Sequence, residues 1–158
     1  MRRIKIYEAG PIDQEADGGL GWRATLFPVL NRLGDIVKPK DVEERQREFR
    51  KLREESKDFV NSLLYYQLAA KIVEESVELV KECDIVVAYL TPLTVTCGTH
   101  MELLLAKQLG KPVYIYSDGY RIVDMPTFLV GNGFRICSTL EELTESIEYR
   151  SLGGYYQF

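Results

Sequence analysis

Apolar and polar positions change period along this chain, and the changes mark its elements. Ile4-Lys5-Ile6-Tyr7 reads as a short strand that runs into Glu8-Ala9-Gly10-Pro11. The polar, glycine-rich stretch 13–21 is a loop. Trp22, Leu26, Val29, Leu30 and Leu33 fall at helical spacing, which predicts a helix over 22–33 with Gly34 as its stop. Asp35-Ile36-Val37 is a second strand, closed by Pro39. Residues 42–57 carry Glu, Arg and Lys at offsets that allow i,i+4 pairs and predict a solvated helix. A longer helix covers 58–82, with Ala69, Ile72, Val73, Leu79, Val80 and Cys83 on one face.

The second half repeats the alternation. The nearly continuous apolar run 84–90 predicts a strand covered on both faces. A helix over 99–109 ends at Gly110, a strand follows at 112–116, and 117–130 is loop-rich. A fifth strand is expected at 133–137, then a last helix opened by Ser138, with Glu141 completing a capping box. Strands alternating with helices predict an α/β fold. We expect a doubly wound, five-stranded parallel sheet of flavodoxin-like order 2-1-3-4-5 with helices on both faces. Residues 1–150 form one domain, and 151–158 are an aromatic tail. In that order the Gly10 and Gly98 loops meet at the carboxyl edge of the sheet, where such folds bind ligands.

Composition narrows the function. At 158 residues the chain can bury one full core, and 46% hydrophobic with 28% charged residues is ordinary for a globular domain. A net charge of −4 argues against broad electrostatic binding of nucleic acid or an anionic membrane. No apolar run approaches spanning length, and Met1-Arg2-Arg3 leads into a strand rather than a signal-peptide core. Cys83, Cys97 and Cys137 show no metal spacing, and their odd count opposes a disulfide framework, so a reducing, cytoplasmic setting is expected. One histidine excludes a multi-histidine metal site. Neither G-x-G-x-x-G after the first strand nor G-x-x-x-x-G-K-[ST] anywhere is present, which weighs against nicotinamide cofactors and ATP. No cofactor and no metal are expected.

The candidate chemistry centres on Glu102, in the run Thr96-Cys97-Gly98-Thr99-His100-Met101-Glu102 after the third strand. On a helix, Gly98, Leu105, Ala106 and Leu109 fall within about 60° of it, so the acid shares the stripe that faces the sheet. A charge there is costly without partners. It is either an acid that stabilises its helix N-terminus or an oriented carboxylate able to attack an anomeric carbon. Tyr7, at the end of strand one, is either a buried aromatic or a hydrogen-bond partner for Glu102. Gly10-Pro11-Ile12 is either a plain turn or a place where a ligand approaches the backbone. Trp22 could cap a pocket or fill the core, and Arg23 could hold an anion or lie on the surface. His100 points away from Glu102, towards the rim, and Cys97 has no paired base.

Taken together, Ile6-Tyr7-Glu8-Ala9-Gly10-Pro11-Ile12, Gly21-Trp22-Arg23, Asp84-Ile85-Val86-Val87-Ala88, Gly98-Thr99-His100-Met101-Glu102 and Ala106-Lys107-Gln108-Leu109-Gly110-Lys111-Pro112-Val113 resemble the nucleoside 2-deoxyribosyltransferase superfamily, which includes the 2′-deoxynucleoside 5′-phosphate N-hydrolases. The likeness runs from about residue 3 to about residue 148. It implies that Glu102 is the nucleophile at C1′ of a nucleoside, that Tyr7 orients it, and that the Gly10 and Gly98 loops, with Thr99, bind the sugar. The deoxyribosyl group then passes to another base (transferase) or to water (hydrolase). It implies a small-molecule nucleoside or nucleotide partner and a homodimer or higher homo-oligomer, in which the tail Tyr155-Tyr156-Gln157-Phe158 could complete a neighbour's pocket. The Leu63-Leu64-Tyr65-Tyr66 cluster, more apolar than one core needs, points to the same self-association.

Two positions depart from the family pattern. Where it commonly has an aspartate on the helix before strand three, this chain has Ser76, at the centre of that helix's apolar face. A serine is a poor general acid, and the adjacent Glu75 points roughly 100° away. Where transferases often have an aspartate, this chain has Thr96, closer to the phosphate-binding serine of the N-hydrolases. Asp13 stands where those hydrolases carry a basic residue. A catalytically silent nucleotide-binding module is the remaining alternative.

Overall fold

The computed structural model describes residues 2–12, 15–38, 42–55, 63–92 and 97–151. Strand β1 (Ile4–Ala9) leads through α1 (Leu20–Leu33) to β2 (Gly34–Val37). Helices α2 (Val42–Glu55) and α3 (Leu63–Glu82) precede β3 (Ile85–Leu90), and α4 (Cys97–Gln108) connects it to β4 (Val113–Ser117). A 3-10 turn over Ile122–Asp124 and α5 (Thr127–Gly131) lead to β5 (Arg135–Cys137) and α6 (Leu140–Ser151). All pairings are parallel and the order is β2-β1-β3-β4-β5, as the alternation predicts.

Strand alternation divides the core. Ile6, Ile85 and Val87 pack with Trp22, Leu26 and Leu30 of α1 and with Leu143 and Ile147 of α6. Tyr7, Ala9, Val86 and Ala88 pack on the other face with Val80 of α3 and with Leu103 and Ala106 of α4. Leu26, Leu30 and Leu103 are fully buried, each stabilising by about 1.5–3 kcal/mol relative to exposure. α1 and α4 thus lie on opposite faces. The chain leaves β1 in one direction and β3 in the other, which opens a crevice between the carboxyl ends of these two strands.

Several boundaries differ from those predicted. β1 continues through Glu8 and Ala9, paired with Val87 and Ala88 of β3, instead of ending at Tyr7. α1 begins at Leu20, two residues early, because the Asp17 carboxylate accepts from Gly19 N–H (2.8 Å) and Gly21 N–H (2.6 Å) and starts the helix there. Gly34 stops α1 as predicted but already belongs to β2, in an extended conformation; a Cβ on it would collide with the Ile4 carbonyl oxygen. The capping box of α6 sits one residue later. Thr139 Oγ1 accepts from Glu142 N–H (3.1 Å) and Glu142 Oε2 from Ser138 N–H (2.9 Å). Val73 on α3 is exposed, as are Leu63, Leu64 and Tyr66. Among the described residues no helix is long and apolar enough to cross a membrane.

Candidate active site

Glu102 lies in the second turn of α4, beside a buried stripe of Thr99, Leu103 and Ala106. That stripe is rotated from the predicted one: Ala106 is buried as expected, but Gly98 and Leu109 are exposed. Tyr7, near the end of β1, donates from Oη to Glu102 Oε1 at 2.7 Å. The Ser76 side chain of α3 hydrogen-bonds with both Tyr7 and Glu102. Three elements therefore converge on one carboxylate. Burial pushes the Glu102 carboxyl up to about 7 from 4.5, against the opposing pull of the Tyr7 and Ser76 hydrogen bonds and the Arg23 charge. Burial, and then the Glu102 charge, raise the Tyr7 phenol well above its ordinary range, so Tyr7 keeps its proton and acts as a donor. Ser76, in turn, tethers the nucleophile candidate rather than standing free.

The α1 wall is built around Trp22. Its ring is buried, donates from Nε1 to the Pro11 carbonyl (2.8 Å) and stacks on Tyr89 of β3 at 5.6 Å between centroids and 6° between planes. Tyr89 Oη donates to Asp118 Oδ2 at 2.7 Å, which holds the ring in place. This ring, not open ligand space, is what Gly10 accommodates: a Cβ there would lie 2.5 Å from Trp22 Cζ2. A Cβ on Gly98, by contrast, would meet no described atom within 4 Å. Pro11 is buried, and the Ile12 carbonyl accepts from Glu15 N–H at 3.2 Å.

Arg23 sits 4.4 Å over the Trp22 ring and donates to the Gly18 (3.3 Å) and Gly19 (3.4 Å) carbonyls. Burial pulls its guanidinium down from the ordinary range, opposed first by Glu8, with Tyr7, Glu102 and Asp17 following. It is neither a surface charge nor free to leave the site. Glu8 is the residue that sequence reasoning missed. It follows Ile6 on the α1 face of β1, and burial raises its carboxyl, opposed by Arg23 and Lys38. The signal was present: Ile4, Ile6 and Glu8 alternate, so an acid had to fall on a core face once the strand ran on. Thr96, Asp13 and the tail 151–158 lie outside the residues whose side chains the structure describes, and Cys97 and Gly98 are exposed at the start of α4.

Replacing Tyr7 with Phe removes the donor that favours the ionised Glu102. Its carboxyl pKa is expected to rise further above 7, moving the acid limb of any kcat/KM profile to higher pH. A limb that stays in place would show that the hydrogen bond does not govern the carboxylate.

Similar proteins share this architecture. A solved 2-deoxyribosyltransferase from Bacillus psychrosaccharolyticus is 20% identical with a TM-score of 0.61, over 89% of this chain and 90% of that one. A conserved protein from Enterococcus faecalis V583 is 24% identical with a TM-score of 0.59, over 93% and 98%. The CMP N-glycosidase of Clostridium botulinum is 13% identical with a TM-score of 0.51, over 91% and 98%. At these identities the likeness establishes the fold. No curated protein matches the chain. The nucleoside 2-deoxyribosyltransferase family pattern matches residues 43–136, well over half of the chain, including α3, β3 and the whole of α4 with Glu102. The chain belongs to the nucleoside 2-deoxyribosyltransferase family of enzymes.

Proposed function

We propose that this enzyme cleaves the N-glycosidic bond of 2′-deoxynucleosides through a covalent glycosyl intermediate on Glu102 and passes the deoxyribosyl group to another base. Family membership supports chemistry at the nucleoside N-glycosidic bond. The observation that carries the finer reading is the 2.7 Å bond from Tyr7 to Glu102, with Ser76 as a second partner, at the edge of the crevice. Two neutral hydroxyl groups favour the charged form of this carboxylate against its burial and fix its orientation before substrate arrives. Attack at C1′ forms the ester bond as the bond to the base nitrogen breaks. An acceptor base then attacks the same carbon from the vacated face.

The proposal makes rate depend on ionised Glu102. With its carboxyl raised to about 7, kcat/KM is expected to climb with pH through about 7. An acid limb near 4.5 would mean that the buried group is not the one titrating in catalysis.

Incubation of the enzyme with each 2′-deoxynucleoside and a free acceptor base tests the reading. A new deoxynucleoside is the expected product. Free deoxyribose would make the enzyme a hydrolase, and deoxyribose 5-phosphate from 5′-nucleotides would make it a nucleotide N-hydrolase. No turnover of any of these would contradict the proposal and favour a binding module. Exposed Leu63, Leu64 and Tyr66 on α3 support self-association of the chain through that helix; sedimentation as a monomer counts against it.

A further inference from the structure

We propose that Glu8 is the acid that protonates the leaving base. This rests on the reading of Glu102 as nucleophile and adds a second carboxyl, on the opposite wall. Glu102 stands on the α4 side of the sheet and Glu8 on the α1 side, both beside the switch point between β1 and β3. Arg23 interacts electrostatically with both. The wall behind Glu102 is taken up by Tyr7 and Ser76, so a nucleoside with C1′ at Glu102 extends its base towards the α1 wall.

Glu8 differs from the other carboxyls placed there. Asp17 spends both oxygens on Gly19 and Gly21, and its pKa is lowered by those bonds. Asp118 accepts from Tyr89. Glu8 Oε1 is buried and has no hydrogen-bond partner among the described residues. An unpartnered, buried carboxylate oxygen is costly, and the cost falls when the group is neutral. Burial raises the Glu8 pKa accordingly. A neutral Glu8 carboxyl carries the proton that a departing base needs. Neither Tyr7, whose proton is held against Glu102, nor the Ser76 hydroxyl supplies it.

The step balances. As the Glu102 carboxylate bonds to C1′, the electron pair of the C1′–N bond goes to the base, and the Glu8 proton moves to a ring nitrogen of that base. The products are the glycosyl ester, a neutral base and ionised Glu8, whose charge faces Arg23. In the second half, the incoming base gives its N–H proton to Glu8 as its nitrogen bonds to C1′, and the Glu102 carboxylate is released.

Leaving groups separate this role from a structural one. The wild type and Glu8→Gln are compared on 2′-deoxyguanosine and on its N7-methyl derivative, whose cationic base departs without a proton. For a pyrimidine-specific enzyme the pair is 2′-deoxyuridine and its 5-fluoro derivative, where the contrast is smaller. Glu8→Gln is expected to lower kcat on the ordinary purine nucleoside by about 10²–10⁴-fold, and on the methylated one far less. Equal losses on both, or no loss on either, would overturn the assignment while leaving Glu102 as nucleophile. A wild type that cleaves no deoxynucleoside overturns both. Should Glu8→Gln not fold, Glu8→Asp, which keeps the acid one methylene short, is expected to show the same asymmetry; uniform loss there overturns it as well.

Discussion

Glu102→Gln is expected to abolish turnover of every deoxynucleoside and, at pH 8, to make the protein more stable. The two effects share one cause. Raising a carboxyl from 4.5 to about 7 means that its charge costs the folded state roughly 3 kcal/mol once it is ionised. The unfolded chain gives up this proton near 4.5 and the folded one near 7, so stability falls between those values as pH rises and is flat above them. Glutamine keeps the shape and an acceptor for Tyr7 but carries no charge. Its melting temperature is expected to exceed the wild type by about 5–10 °C at pH 8, with the difference vanishing below pH 4.5. A variant no more stable at pH 8 would show that the buried charge is already compensated. The cost is what a strained, ready nucleophile looks like in a stability measurement.

The second large effect is expected at Gly10. A Cβ there falls 2.5–2.9 Å from three atoms of the Trp22 ring. That ring is rigid and held by its bond to the Pro11 carbonyl and its stack on Tyr89, so it has no low-energy way to yield. Gly10→Ala is expected to destabilise by about 1–3 kcal/mol and to lower activity, because Arg23 rides on the displaced ring. Gly98→Ala is the contrast. Its Cβ meets no described atom within 4 Å, and alanine favours a helix, so urea unfolding is expected at the same or higher midpoint. If Gly98 lines the substrate side of the crevice, the same change raises KM. Destabilisation by Gly98→Ala rather than Gly10→Ala would invert this picture of which glycine is packed and which is not.

The sheet was legible in the chain because each strand carries its own signal. The run 85–90 is apolar without break, as a strand covered on both faces must be, and its place fixes the order around it. Glu102 was legible for a related reason: an acid on a helix face aimed at a sheet contradicts the local pattern, and such contradictions concentrate at sites. What escaped were properties created by distant contacts. Nothing near Gly10 in sequence says that Trp22 lies over it, and nothing near Gly34 says that the Ile4 carbonyl blocks the place where a side chain would start. Ser76 read as a missing acid, yet in space it is a hydrogen-bond partner of Glu102. Glu8 was hidden by a strand read two residues too short. Asp17 was hidden because it caps α1 from outside the helix, through backbone N–H groups that any residue possesses.

The most direct test of the account is to trap the intermediate. A 2-deoxy-2-fluoroarabinosyl nucleoside slows the second half of the reaction more than the first, so a covalent sugar should accumulate on the protein. After acid quench and proteolysis, mass spectrometry is expected to place that sugar on the peptide holding Glu102, and on no peptide of Glu102→Gln. Turnover of the nucleoside with no adduct, or an adduct on Glu8 with Glu102 unmodified, would contradict it.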